Sequence, residues 1–283
     1  MLEIRNFTSV DIPDALALCA QANWNHIAAD WQRILALLPE GCIGGFDGRR
    51  MRASCTLTRF GKVGWVGTFL VDQALRGTGE GTALFDALLN KARKLGLETL
   101  ALDSSDAGRP IYLKKGFVMT GQGIELWTGA PASVTEAETL PLQNSQWDAL
   151  LAFDARAMRI DRADQLRHLA AEPGASVRVL VEHGAVSAFG FSRPGKMTGT
   201  IGPVVALDLH RAQSVIRALR RDRRQFDGEK PVGMAVHDHA ELKLWLAGEG
   251  FQQRRRNLRM FRPAVVDVCA GPQVFAATAL GMG

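Results

Sequence analysis

The chain has 283 residues, 47% hydrophobic and 22% charged, with a net charge of +5; that balance suits roughly two globular domains and excludes a disordered or fibrous chain. No apolar run approaches the roughly 20 residues that span a bilayer, and the opening Met1-Leu2-Glu3-Ile4-Arg5 lacks a basic stretch followed by an apolar one, so neither a membrane span nor a secretory leader is expected. The mild positive charge comes with no nucleic-acid-binding motif, and Cys19, Cys42, Cys55 and Cys269 are scattered without a Cys-x-x-Cys pair, which fits reduced thiols in a cytoplasmic protein and no metal site.

In chain order, Leu2–Phe7 reads as a strand, and Ser9-Val10-Asp11-Ile12-Pro13 as a capped helix start. Apolar residues at Ile12, Ala15, Leu16, Cys19 and Ala20 carry that helix to about Ala22. Asp30, read as an N-cap, opens a second helical stretch that stops at Pro39. Cys42–Phe46 and Arg52–Arg59 are strands joined at Asp47-Gly48-Arg49, and Val63–Val71 is a third. Thr82–Leu95 is an amphipathic helix with Leu84, Phe85, Leu88, Leu89, Ala92 and Leu95 on one face and Gly96 as its stop. Thr99–Leu102 suits a buried strand, and Arg109–Lys115 a short helix closed by Gly116, with a strand from Phe117.

Gly129 to Pro141 is small, polar and flanked by proline, which is linker composition. The boundaries expected are therefore residues 1–129, a linker at 130–141, and residues 142–283. The second half repeats the rhythm of the first: helix Gln146–Arg156, strands Val177–Glu182, Ala185–Arg193 and Thr200–Ala206, helix His210–Arg220, strand Val232–Val236, short helix Glu241–Ala247, then Gly250-Phe251. Both halves end in a short helix, Gly-Phe and a strand, the pattern of a tandem duplication of one α/β fold.

The most informative string runs from Phe69-Leu70-Val71 into Arg76-Gly77-Thr78-Gly79-Glu80-Gly81-Thr82. A strand enters a turn with three glycines at alternate positions, and a helix opens at once. Glycine admits positive φ and close backbone approach, and the free amides of a helix start suit a phosphate. Arg76 adds a cationic fork. The spacing is not the Gly-x-Gly-x-x-Gly of a dinucleotide fold, and no Gly-Lys-Ser/Thr follows as in a P-loop.

Arg76-Gly77-Thr78-Gly79-Glu80-Gly81 resembles the coenzyme A loop of the GCN5-related N-acetyltransferase (GNAT) superfamily, over about residues 2–128. The resemblance implies a mixed, mostly antiparallel twisted sheet flanked by helices in each half. It also implies acetyl-CoA as co-substrate, with Phe69, Leu70, Val71, Arg76, Gly77, Thr78, Gly79, Glu80, Gly81, Thr82, Ser104 and Tyr112 binding it. Tyr112, the chain's single tyrosine, stands four residues before Gly116-Phe117, like the superfamily's Tyr-x-x-x-Gly-Phe; there the phenol is a frequent general acid toward the thiolate. A phenol's pKa of about 10 suits that task, and a purely positional role is the other reading. No general base stands out. Asp103 either holds the amine and relays its proton or caps the next turn; Trp24 and Asn25, in the stretch that walls the acceptor site in the family, either line a pocket or pack between helices.

The second half resembles the degenerate GNAT-like domain that follows the catalytic one in a subgroup of bacterial acetyltransferases, through Ile201-Gly202-Pro203-Val204-Val205-Ala206, Gly250-Phe251, Leu258-Arg259-Met260 and the tail from Gln273. The turn after Val205 has no glycine and no tyrosine precedes Gly250, so one cofactor per chain is expected. His237-Asp238-His239 is either pocket lining, with His237 toward an acceptor, or a solvated strand end; a metal there lacks further ligands. The function expected is acetyl transfer to a primary amine of a small molecule by direct attack on the thioester, in a monomer or homodimer. An acyl-CoA-binding sensor or partner-binding protein with little catalysis, or acyl transfer to a hydroxyl, are the rivals.

Overall fold

The computed structural model describes residues 1–132, 139–263, 265–268 and 271–280. Residues 133–138 of the 130–141 linker, and Cys269, lie outside the described residues. Two compact units emerge: Met1–Val118 with Met260–Val265, and Met119–Arg259 with Val266–Gly281.

In the first unit the elements are β1 (Glu3–Asn6), α1 (Ile12–Gln21), α2 (Ala28–Leu37), β2 (Cys42–Asp47), β3 (Arg50–Phe60), β4 (Val63–Val71), α3 (Glu80–Lys94), β5 (Thr99–Ser104) and α4 (Arg109–Lys114). Strands β1 to β4 form an antiparallel ladder, and β5 joins β4 in parallel. The core forms where the apolar stripe of α3 meets the sheet. Leu84, Phe85, Leu88, Leu89 and Ala92 pack against Ile43, Ala53, Cys55, Leu57 and Val66, and each large side chain so buried contributes about 1.5–3 kcal/mol. Gly96, at φ +69, ends the helix in the left-handed conformation that only glycine takes readily. Asp30 does not cap α2, as the sequence suggested. It lies in the first turn of the helix, where its carboxylate accepts from the Ile27 amide at 2.9 Å and from Arg33 Nη2 at 2.9 Å.

The second unit holds β6 (Val118–Gly129, all but its first residue), β7 (Leu140–Pro141), α5 (Trp147–Met158), α6 (Ala163–Ala170), β8 (Ser176–Glu182), β9 (Ala185–Arg193), β10 (Gly199–Ala206), α7 (Leu209–Asp227), β11 (Val232–Val236), α8 (Ala240–Gly248), β12 (Gln252–Arg262, through Arg259) and β13 (Val274–Ala277). Its strand order is β12-β6-β11-β13-β10-β9-β8-β7. From β6 to β7 the neighbours in this order pair antiparallel, and β10 and β11 also pair in parallel. Here α7 is the counterpart of α3: Ala212, Val215, Ile216 and Leu219 pack on Ala188, Ile201, Val204, Val232 and Met234. Each unit is thus a mixed, mostly antiparallel sheet with helices packed on it. No helix among the described residues is long and apolar enough to cross a membrane.

Candidate functional site

Strand β4 carries the site's first device. It pairs with β5 only at Val63–Trp65 against Thr99–Ala101, and beyond that the two strands are not paired. On its other side the register with β3 slips between Ser54 and Thr56, leaving one extra residue in β4. The bulge is at Thr68, whose φ is +42, rare for a β-branched residue. Two bonds hold it: Ser54 Oγ donates to the Thr68 carbonyl at 2.8 Å, and the Thr56 and Thr68 hydroxyls meet at 2.8 Å. The chain after the bulge, Phe69–Val71, is turned away from a regular ladder.

The second device is the turn that follows. Asp72 accepts from the Ala74 amide at 3.0 Å and from Arg52 Nε at 3.0 Å. The Ala74 amide, the largest effect, together with Arg52 and Gln21 outweighs the opposing effect of burial and holds its carboxyl below the usual range. A single turn of 3-10 helix, Gln73–Leu75, leads to Arg76–Gly79 and then α3. Gly77 and Gly79 have φ of +81 and +96, and a Cβ at either would meet no atom within 4 Å. The loop is therefore shaped by glycine and open in front. No side chain caps α3, so its first amides point outward with the positive end of the helix dipole behind them. Glu80 does not compete: its carboxylate is engaged by the Leu2 amide at 3.0 Å. Gly81 lies against Val71 and Phe69, which sets the loop on the strand. Arg76 donates from Nε to the Val71 carbonyl at 3.1 Å, tying its exposed side chain to the strand end.

Tyr112 completes the group. It sits on α4, 8% exposed, with ring centroids 6.1 Å from Phe69, 5.3 Å from Phe85 and 6.0 Å from Phe117. Burial, with a smaller effect of the Cys55 thiol, pushes its phenol above the ordinary value, so it stays protonated across the physiological range. The thiols of Cys42 and Cys55 are buried too; desolvation, then the Glu40 charge, raises Cys42 to about 12, and desolvation raises Cys55 further. Neither is a nucleophile at neutral pH. Asp103 is half-buried near the end of β5 and Ser104 is buried beside it. Trp24 and Asn25 lie half-buried between α1 and α2, where the Trp24 ring stacks on His26 at 5.4 Å and His26 meets Trp31 at 6.1 Å. Phe69, Val71, Gly81, Phe85 and Tyr112 are thus in one contiguous group, Trp24 belongs to an aromatic cluster with His26 and Trp31, and His237 lies in the second unit.

The second unit has the same frame and closes both devices. Strands β10 and β11 pair at Gly199–Ile201 against Val232–Met234 and then part, as β4 and β5 do. Strand β13 fills the gap, pairing with Val204 and Val205 on one side and with Ala235 and Val236 on the other. The helix start is closed as well: Asp208 accepts from the Arg211 amide at 3.0 Å, capping α7 with a carboxylate.

Comparison with known proteins follows this duplicated frame. One acetyltransferase (GNAT) domain model matches residues 57–126 and another matches residues 150–267. The chain belongs to the GNAT superfamily. It is a tandem GNAT protein, and those domains make it an acyltransferase of the N-acetyltransferase type. Among solved structures it is similar to a Pyrococcus horikoshii protein described provisionally as an acetyltransferase, at 20% identity and TM-score 0.82 over 100% of this chain and 96% of the other. It is also similar to a tandem GNAT protein from the clavulanic acid biosynthesis pathway, at 17% identity and TM-score 0.67 over 94% and 100%. A GNAT protein from Sphaerobacter thermophilus aligns at 13% identity and TM-score 0.67 over 95% and 98%. These likenesses carry the fold. No curated protein matches the chain.

Three parts of this GNAT frame were not read from sequence. The Thr68 bulge has no local signal, because it depends on two hydroxyls in the neighbouring strand. The closure by β13 depends on a tail distant in sequence from the gap it fills. Asp208 as a cap was readable, since an Asp before an amphipathic helix is the ordinary N-terminal signature. Among the described residues, no cluster of His, Cys, Asp and Glu could hold a metal ion.

Proposed function

We propose that the chain is an acetyl-CoA-dependent N-acetyltransferase for a primary amine on a small molecule, with its one cofactor site in the first unit. The uncapped, glycine-opened start of α3 beside the parting of β4 and β5 carries this reading. Acetyl-CoA, when bound, supplies the activated acyl group. The amides of Gly77 to Thr82 bind its pyrophosphate, with Arg76 as a cationic flank. Backbone groups of Phe69, Leu70 and Val71 orient the pantetheine and polarise the carbonyl. Tyr112 gives its proton to the sulfur of the leaving thiolate. Burial raises the pKa of the phenol, and a thiolate released into apolar surroundings is likewise a stronger base, which favours taking that proton. The amine attacks directly, since Cys42 and Cys55 are held as thiols. Asp103 relays the amine's proton, Ser104 supports the cofactor, and Trp24 with Asn25 faces the acceptor.

In this reading residues 1–129 are the catalytic domain, 130–141 the linker and 142–283 the second, degenerate GNAT-like domain. The protein works in the cytoplasm as a monomer or homodimer. The test incubates it with acetyl-CoA and a panel of amines and alcohols, following free thiol and product mass. An amide product with stoichiometric thiol is the expected result. An ester would move the reading to hydroxyl acceptors, and tight acetyl-CoA binding without thiol release on any acceptor would make the chain a sensor.

A further inference from the structure

The flank of α3 borders a hollow of about 340 Å³ that lies apart from the glycine loop. Asp86, Asn90 and Arg93 reach it from the helix at i, i+4 and i+7, on one face beside the apolar stripe. Lys114 and Lys115 reach it from the end of α4, and Arg262 from the end of β12. Gly116, at φ +80, ends α4 in the left-handed conformation, and a Cβ there would lie 3.9 Å from Arg262 Nε. All of these residues belong to the first unit.

Four cations thus face one carboxylate, a net charge of +3. Their partners absorb little of it. Lys115 pairs with Asp86 at 2.6 Å. Arg93 donates from Nη2 to Asn90 Oδ1 at 2.6 Å, a neutral partner. Lys114 is exposed and Arg262 half-buried, and neither has a hydrogen-bond or ion-pair partner among the described residues. A cation in the last turn of a helix complements its dipole, which accounts for Arg93 and Lys114 one at a time. It does not account for Arg262, which comes from a strand, or for cations from three elements meeting in one hollow. Like charges gathered in a concavity concentrate counter-ions there.

A carboxylate would leave two of the three charges unmatched. A phosphate dianion leaves one, and its several oxygens suit guanidinium and ammonium donors arriving from different sides. Asn90 accepts from Arg93 through Oδ1, so its amide nitrogen is turned to donate as well. The wall has one apolar side chain, Leu89, and no aromatic ring, so it offers no stacking platform for a base. We propose that this hollow binds a phosphate dianion, inorganic or the head of a small phosphate ester, through Lys114, Arg262 and Arg93. The site is separate from the glycine loop, because Asn90 lies roughly 16 Å along α3 from Gly79 at about 1.5 Å per residue. The proposal therefore does not depend on acyl transfer.

The test is calorimetric titration of the full-length protein without acetyl-CoA, at fixed ionic strength and about pH 8, where phosphates carry both charges. The probes are inorganic phosphate, glycerol 3-phosphate and acetate. A phosphate probe should bind saturably, about tenfold or more tighter than acetate. The tighter of the two phosphates identifies the source, free anion or ester. Lys114→Gln and Arg262→Gln should each weaken binding about tenfold or more. Lys94→Gln removes the same charge from an exposed lysine outside the hollow and should change binding less than about twofold. Lys114 and Lys94 are both exposed, so their comparison holds even where Arg262→Gln fails to fold. Saturating coenzyme A should leave phosphate binding intact. If neither phosphate binds, if acetate binds as tightly, or if Lys94→Gln weakens binding as much as Lys114→Gln, the hollow is a solvated basic surface and the proposal falls. It falls equally if coenzyme A displaces the phosphate, because the hollow is then part of the cofactor site.

Discussion

Tyr112 shows how much one residue's role depends on its neighbours. Its place before Gly116-Phe117 is legible in the sequence, and so is its singularity. Its packing on Phe69, Phe85 and Phe117 is not, because those rings come from a strand, a helix and a turn that meet only in the folded unit. That packing desolvates the phenol and keeps its proton on. Tyr112→Phe preserves the ring and deletes the donor, so kcat should fall by about 10²-fold or more while KM for acetyl-CoA changes by less than about threefold. Steady-state thiol release measures both, and an unchanged kcat removes the general-acid role. Asp30 teaches the reverse lesson. An Asp near a helix start is readable as a helix signal, but whether it caps from outside or reaches back from the first turn is decided by where the backbone enters, here at Ile27.

At the scale of elements, periodicity reported the long pieces. The stripes of α3 and α7 and the apolar strands β4 and β11 follow from spacing alone, because each buries one face or both against a single partner layer. Short pieces escaped. Helix α6 has only Leu166, Leu169 and Gln165 buried, too few to stand out from a polar stretch. Strand β13 is four residues of apolar sequence with no alternation, fully buried on both sides. It is seated by close approach: a Cβ on Gly202 would lie 2.2 Å from the Ala277 carbonyl oxygen. Gly202→Ala should therefore push β13 off its neighbour and cost about 1–3 kcal/mol, read as a lowered Tm together with faster hydrogen exchange at Val274–Ala277. Unchanged exchange there would mean that the strand is held by something other than this contact.

At the scale of the whole molecule, two units with one frame differ in whether the frame is open. The first has an uncapped, glycine-shaped helix start and unpaired strand ends; the second has Asp208 on the helix and β13 in the gap. Calorimetric titration with coenzyme A should give one site per chain. Gly79→Val should remove it while the protein remains folded: the added side chain meets open space, but φ of +96 costs a β-branched residue about 1–3 kcal/mol and distorts the amide cradle. Two sites per chain, or a site untouched by Gly79→Val, would contradict that assignment. The sequence by itself determined the duplication, the glycine loop and the tyrosine, because each rests on local spacing and on the backbone freedom of particular residues. Only the tertiary structure decided which frame is shut, where the β4 ladder breaks and how Arg262 comes to line a hollow with Lys114 and Arg93, because these depend on contacts between segments far apart in the chain, where no local pattern can register them.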